Sequence, residues 1–189
     1  RRQEDADSAR KRFAFEEVFF IQLARLKARS EYKSNPSHKV SWEKEHVDIF
    51  VKRFPFSFTK SQDKAIEAVL SDFKKEEPMS RLLEGDVGSG KTAVAATTAY
   101  AVVTSRPENQ NFGNLQVAYM APTEILAQQH FESFMEYFSH LPIQIGLITS
   151  SGCKKFPSKI DQKKATPISR AQLLKWVANG EIPILIGTH

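Results

Sequence analysis

The segment Gly85-Asp86-Val87-Gly88-Ser89-Gly90-Lys91-Thr92 restricts what this chain can fold into more than any other stretch, because it fits G-x-x-x-x-G-K-[ST]. That spacing belongs to a loop whose backbone N–H groups wrap an anion, set between a strand that fixes its entry and a helix that presents its positive end. The glycines at 85, 88 and 90 allow positive φ and close backbone approach, and Asp86, Val87 and Ser89 fill out the cradle between them. Lys91 adds a mobile charge for the β- and γ-phosphates of a nucleotide, and the Thr92 hydroxyl is placed to ligate Mg²⁺. The flanks suit the loop: residues 81–84 read as a short buried strand and residues 92–104 as an Ala- and Val-rich helix.

The remaining pattern extends this unit. Residues 8–32 read as a helix with a wide aromatic face of Phe13, Phe15, Val18, Phe19, Ile21, Leu23 and Leu26, suited to packing on the core or a neighbouring domain. Residues 35–60 read as a connector with a short helix near 42–52. Ala65, Ile66, Val69, Leu70 and Phe73 then mark an amphipathic helix that Pro78 ends. Beyond the phosphate-loop helix come a polar loop at 105–114, a strand at 115–120, a helix to about residue 139 and a strand at 143–149. A Lys-, Ser- and Pro-rich insertion at 150–168 reads as a loop, followed by a helix at 169–179 with Gly180 as its stop and a buried strand at 182–186. Strands alternating with helices imply an α/β fold with a parallel sheet covered on both faces.

Composition narrows the partners only slightly. Lys and Arg number 27 against 22 Asp and Glu, a balance of +5 that suits a polyanion without requiring one. The lone cysteine, Cys153, excludes an internal disulfide framework and reads as an inert loop thiol, in keeping with a reducing cytoplasm. No run approaches the ~20 apolar residues of a membrane span. The start at Arg1 and the stop at His189, directly after a strand, give the expectation of a fragment.

Four further segments bear on which nucleotide-using class this is. Thr59-Lys60-Ser61-Gln62, behind Phe56-Ser57-Phe58, has two readings: Gln62 can read an adenine edge, or Thr59 and Gln62 can form a capping box. Thr123 stands at a strand-to-helix turn, where it can grip a nucleic-acid phosphate or serve as a plain N-cap. Thr149-Ser150-Ser151 and Gly187-Thr188-His189 each follow a strand.

Phe58-Thr59 with Gln62, the phosphate loop, Ala121-Pro122-Thr123-Glu124-Ile125-Leu126-Ala127 with Gln129-His130, and Ile186-Gly187-Thr188-His189 together resemble the RecG-type ATP-dependent DNA helicases of superfamily 2. The resemblance covers essentially the whole chain. The transcription-repair coupling factors share Gly85-Asp86-Val87-Gly88, the Gln-Gln-His run and Gly187-Thr188-His189, while Glu124-Ile125 and the helix around Ala14-Phe15-Glu16-Glu17 favour the RecG type. A non-catalytic ATP-binding or interaction module is the remaining alternative. The resemblance implies a RecA-like P-loop domain over residues 51–189, preceded by a linker helix and connector over 1–50, in a monomer that uses ATP and Mg²⁺ and acts on branched or double-stranded DNA. It implies that Phe56 and Gln62 sit at the adenine and that Thr123, Ser151 and Thr188 hold the DNA backbone. It further implies an acidic metal-binding box after His189 and a second motor domain with an arginine finger, without which the fragment would bind nucleotide but hydrolyse it poorly. Ser150 departs from the family's usual Thr-Gly-Ser, and the loops at 105–114 and 152–168 are longer than the family's. Lys154, Lys155, Lys159, Lys163 and Lys164 read as a solvated basic loop.

Overall fold

The computed structural model describes residues 3–75, 77–107 and 113–189, which fall into two compact units, one within 1–38 and 76–79 and the other within 39–75 and 80–189. The first unit is built on helix α1, Gln3–Lys33. Arg12 and Glu16 pair one turn apart at 3.0 Å on its surface. Its last turn is tied down by the Tyr32 hydroxyl, which donates to the Met79 carbonyl at 3.2 Å, and by the Lys33–Glu77 ion pair at 2.5 Å. Phe13 and Phe15 are each 69% exposed.

The second unit opens with α2 (Lys44–Val51), α3 (Lys60–Asp72) and α4 (Lys91–Val103). Ile66 and Leu70 of α3, Val47 of α2 and Val94 and Ala101 of α4 share one apolar cluster. The amphipathic helix α3 ends at Asp72, earlier than the expected stop at Pro78, and Phe73 caps it. Asp72 accepts from Lys75 at 2.7 Å and from Arg81 at 2.5 and 2.8 Å, and these hydrogen bonds hold its carboxyl below its ordinary range.

Strand β1 (Val117–Met120), helix α5 (Glu124–Phe138), strands β2 (Ile145–Thr149), β3 (Gly152–Phe156) and β4 (Thr166–Ile168), helix α6 (Arg170–Ala178) and strand β5 (Ile184–Gly187) complete the unit. The sheet order is β1-β5-β2-β3-β4. β1, β5 and β2 are parallel, with Met120, Gly187 and Ile148 in register at their carboxyl ends. Period-two alternation divides the strands between two faces. Ile145, Leu147, Ile184 and Ile186 pack with Phe131, Phe134 and Phe138 of α5 and with Ala93 and Ala96 of α4. On the other face Ile148, Leu185 and Cys153 meet Leu173, Trp176 and Val177 of α6. Gly180, at φ 77°, turns the chain after α6 as expected.

Four expectations need correction. The insertion is not a loop throughout: β3 and β4 lie within it and extend the sheet antiparallel, so the sheet is mixed. Lys155 is buried on β3 because its aliphatic stem packs while its ammonium lies 5.2 Å from the Trp176 ring, so the basic stretch is not uniformly solvated. Cys153 is a buried strand residue rather than a loop thiol. Residues 81–84 form no strand; a strand is held by its ladder, and this run pairs with none, leaving Leu82 80% exposed. The expected polar loop at 105–114 lies in part outside the described residues. Among the described residues no helix is long and apolar enough to cross a membrane.

Candidate nucleotide site and nucleic-acid edge

The phosphate loop runs directly into α4, whose leading N–H groups have no helical acceptors. Gly90 is the N-cap in a left-handed conformation, φ 79°, and Gly88 is at φ 78°. Within the loop the Ser89 amide donates to the Asp86 carbonyl at 3.2 Å. Lys91 Nζ folds back over the loop and donates to the carbonyls of Gly85 at 2.7 Å and Asp86 at 2.6 Å, which places a positive charge over the cradle. A hollow of about 390 Å³ on one side is lined by Thr59, Gln62, Gly85, Asp86, Gly88 and Lys91. A second, of about 370 Å³, is bordered by Phe56, Gln62, Thr92, Ser133 and Tyr137. Phe56 belongs to an aromatic group, 5.5 Å from Phe54 and 5.8 Å from Phe58 between ring centroids. Val87 is fully exposed at the loop tip.

Gln62 has more than one task. Its Oε1 accepts from the Thr59 amide at 2.7 Å and its own amide donates to Thr59 Oγ1 at 3.3 Å, which completes the capping box. Its Nε2 donates to the Ser89 carbonyl at 2.8 Å, so the same side chain ties the start of α3 to the phosphate loop. A Cβ at residue 90 would overlap that amide. Gly90→Ala is therefore expected to lower stability by on the order of 1–2 kcal/mol through the left-handed backbone alone. Urea denaturation checks this, and a change near zero would contradict the backbone geometry described.

Thr92 lies in the first turn of α4, with Oγ1 3.5 Å from His130 Nδ1. So long a contact leaves the hydroxyl oxygen available to a hard cation, and the residue fits an Mg²⁺ ligand in that respect. Burial holds His130 below its ordinary pKa, and its ring centroid lies 5.0 Å from that of Tyr119.

The three residues expected along a nucleic acid emerge at one edge of the sheet. Thr123 follows β1, Thr188 follows β5 and Ser151 follows β2, three neighbouring parallel strands. The Ala121 amide donates to the Gly187 carbonyl at 2.8 Å and the Thr188 amide to the Ile148 carbonyl at 3.4 Å, which keeps these ends level. Thr123 is exposed and caps α5, accepting from the Leu126 amide at 3.3 Å. Ser151 is exposed, and its hydroxyl lies 3.0 Å from Thr149 Oγ1. His189 is exposed.

Glu124 has a position here that its place in the sequence did not disclose. Its carboxylate accepts from the amides of Ser150 at 2.7 Å and Ser151 at 3.2 Å and from the Ser150 hydroxyl. These donors, the serine side chains first, hold its pKa below the ordinary value. One turn along α5, Gln128 Oε1 accepts from Lys154 of β3 at 3.1 Å. In the sequence Glu124 stood out only as part of the family resemblance and as an acid in the first turn of a helix, which the helix dipole explains equally well.

A phosphate cradle opening a helix that packs on a largely parallel sheet defines a P-loop nucleotide-binding domain. Within that class the chain belongs to the DEAD/DEAH box helicase family, whose model matches residues 59–189 and whose members use ATP. It is 37% identical over 183 residues to the ATP-dependent DNA helicase RecG of Aquifex aeolicus, covering 97% of this chain and 20% of that protein. It is also 37% identical over 182 residues to RecG of Bacillus subtilis, covering 96% of this chain and 24% of that one. A solved structure of RecG bound to a three-way DNA junction superposes with a TM-score of 0.76 at 33% identity, over 97% of this chain and 22% of that chain. The chain therefore spans about a fifth to a quarter of the length of these relatives.

Proposed function

We propose that this chain supplies the ATP-binding side of a RecG-type motor that remodels branched DNA, with residues 51–189 in the first motor domain and residues 1–50 as its linker and connector. The observation that carries the reading is the shared layout of a phosphate loop and a level edge bearing Thr123, Ser151 and Thr188 on three adjacent strands. Lys91 would exchange its carbonyl contacts for the β- and γ-phosphates, while loop and α4 N–H groups hold the remaining oxygens. Thr92 would hold Mg²⁺, which when bound neutralises charge on the phosphates. Gln62, already beside the loop, would turn its amide to an adenine edge, with Phe56 nearby. Hydroxyls and helix-terminal amides at the sheet edge would contact phosphates of a DNA backbone without reading bases. A monomer acting in the cytoplasm fits this reading.

The test is ATP turnover by the full polypeptide that carries this chain, with and without forked DNA, combined with DNA titrations at several salt concentrations. Turnover should rise with DNA, and DNA affinity should fall steeply with salt because backbone contacts displace counterions. Turnover indifferent to DNA would count against a motor, and salt-independent affinity would count against the sheet edge as a phosphate track.

A further inference from the structure

We propose that Glu124 is a positioning residue that sets the DNA-facing turn Ser150–Gly152 against the start of α5, and that Ser150 serves this chain as its side-chain partner. The inference rests on the reading of Thr123, Ser151 and Thr188 as a phosphate track. One carboxylate oxygen gathers three donors, the amides of Ser150 and Ser151 and the Ser150 hydroxyl, from a turn 26 and 27 residues away in sequence. Glu124 directly follows Thr123, so the clasp fixes the separation between one proposed phosphate contact and the next. Within the turn Thr149 Oγ1 donates to the Gly152 carbonyl at 3.1 Å and lies 3.0 Å from Ser151 Oγ, so the turn is restrained from both sides. The Gln128–Lys154 bond repeats the attachment one helical turn further along.

This arrangement gives the departure at residue 150 a physical meaning. Glycine there could offer only its amide to Glu124, whereas Ser150 offers its hydroxyl as well and has less backbone freedom to lose when the turn is set. Rigidity in the turn replaces flexibility. An acid at the edge of a polyanion track is otherwise a liability, since its charge repels phosphates. Positioning and charge therefore have opposite consequences for DNA binding, and this difference makes the role testable.

The experiment measures binding of a fluorescent forked oligonucleotide to the full polypeptide, with a fluorescent ATP analogue titrated in parallel. Glu124→Gln removes the charge and keeps the shape. Positioning predicts DNA affinity roughly fivefold or more weaker, because hydrogen bonds to a charged acceptor lose their strength. Nucleotide affinity should be unchanged, a separation that a general loss of structure would not produce. Ser150→Gly should weaken DNA binding by roughly two- to threefold from loss of one hydrogen bond. It should have almost no further effect when added to Glu124→Gln, because the two share one interaction. Unchanged or tighter DNA binding by Glu124→Gln overturns the proposal, as does full additivity of the pair. Should Glu124→Gln fail to fold, Ser150→Gly, which leaves the carboxylate and both amides in place, decides alone: unchanged affinity overturns the proposal. Thr188→Val separates this inference from the reading beneath it. If that variant binds DNA normally, the track is wrong; if it weakens binding while Glu124→Gln does not, only the positioning role falls.

Discussion

Lys91→Ala is expected to weaken nucleotide binding by at least roughly a hundredfold, since two charge-assisted hydrogen bonds at about 1.5–3 kcal/mol each exceed the ~2.7 kcal/mol that such a factor requires. The ammonium already spans the mouth of the loop, 2.7 Å from the Gly85 carbonyl and 2.6 Å from that of Asp86. Alanine removes both the charge that a phosphate would meet and the brace that keeps the loop closed. A fluorescent-ATP titration reads the loss, and affinity equal to that of the unaltered chain would sink the phosphate-loop assignment. Lys91→Arg should fall between the two, because the planar guanidinium keeps the charge but cannot act as a compact point donor in the same space.

Phe134→Ala should cost far more stability than Phe13→Ala. Phe134 is wholly buried, stacks on Phe138 at 5.6 Å and meets the Tyr119 ring edge at 5.3 Å, so the helix α5 rests on the sheet through it. Removing a buried phenyl ring costs about 3–5 kcal/mol, from lost transfer energy and the cavity left behind. That is a large share of the ~5–15 kcal/mol that holds a domain together. Phe13→Ala, at a ring 69% exposed on α1, should fall within about 0.5 kcal/mol of neutral. Urea unfolding of the two variants checks the contrast, and a cost below about 1 kcal/mol for Phe134→Ala would contradict the packing of α5 described above.

What could be read from residues alone follows the range of the interactions involved. The spacing of Ile66, Val69 and Leu70 fixes a face of α3 because helix periodicity is local, and all three are buried. The phosphate loop is legible for a similar reason: the backbone geometry it needs can be met only by glycine at φ near 79°. Strand pairing is not local, and residues 81–84 have the apolar character of a strand without a partner. β3 was hidden because Lys154 and Lys155 signal solvent, whereas one bonds Gln128 and the other lies against Trp176. Gln62 could be read two ways because a carboxamide has both a donor and an acceptor, and here the acceptor closes the cap while the donor reaches Ser89. The part played by Glu124 was unreadable because all its donors lie more than two dozen residues further along the chain.

The unpaired approach to the phosphate loop has a thermodynamic side. Residues 81–84 are moored at Arg81 by Asp72 and carry no ladder, while Lys91 holds the carbonyls of Gly85 and Asp86 that follow. Where a ligand on the loop also restrains this tether, each residue brought to a single conformation opposes binding by about 1–2 kcal/mol. By reciprocity, any contact that orders the tether raises nucleotide affinity by the same factor by which nucleotide strengthens that contact. If the cradle holds nucleotide as proposed, its grip would be adjustable from outside, by whatever holds those residues still.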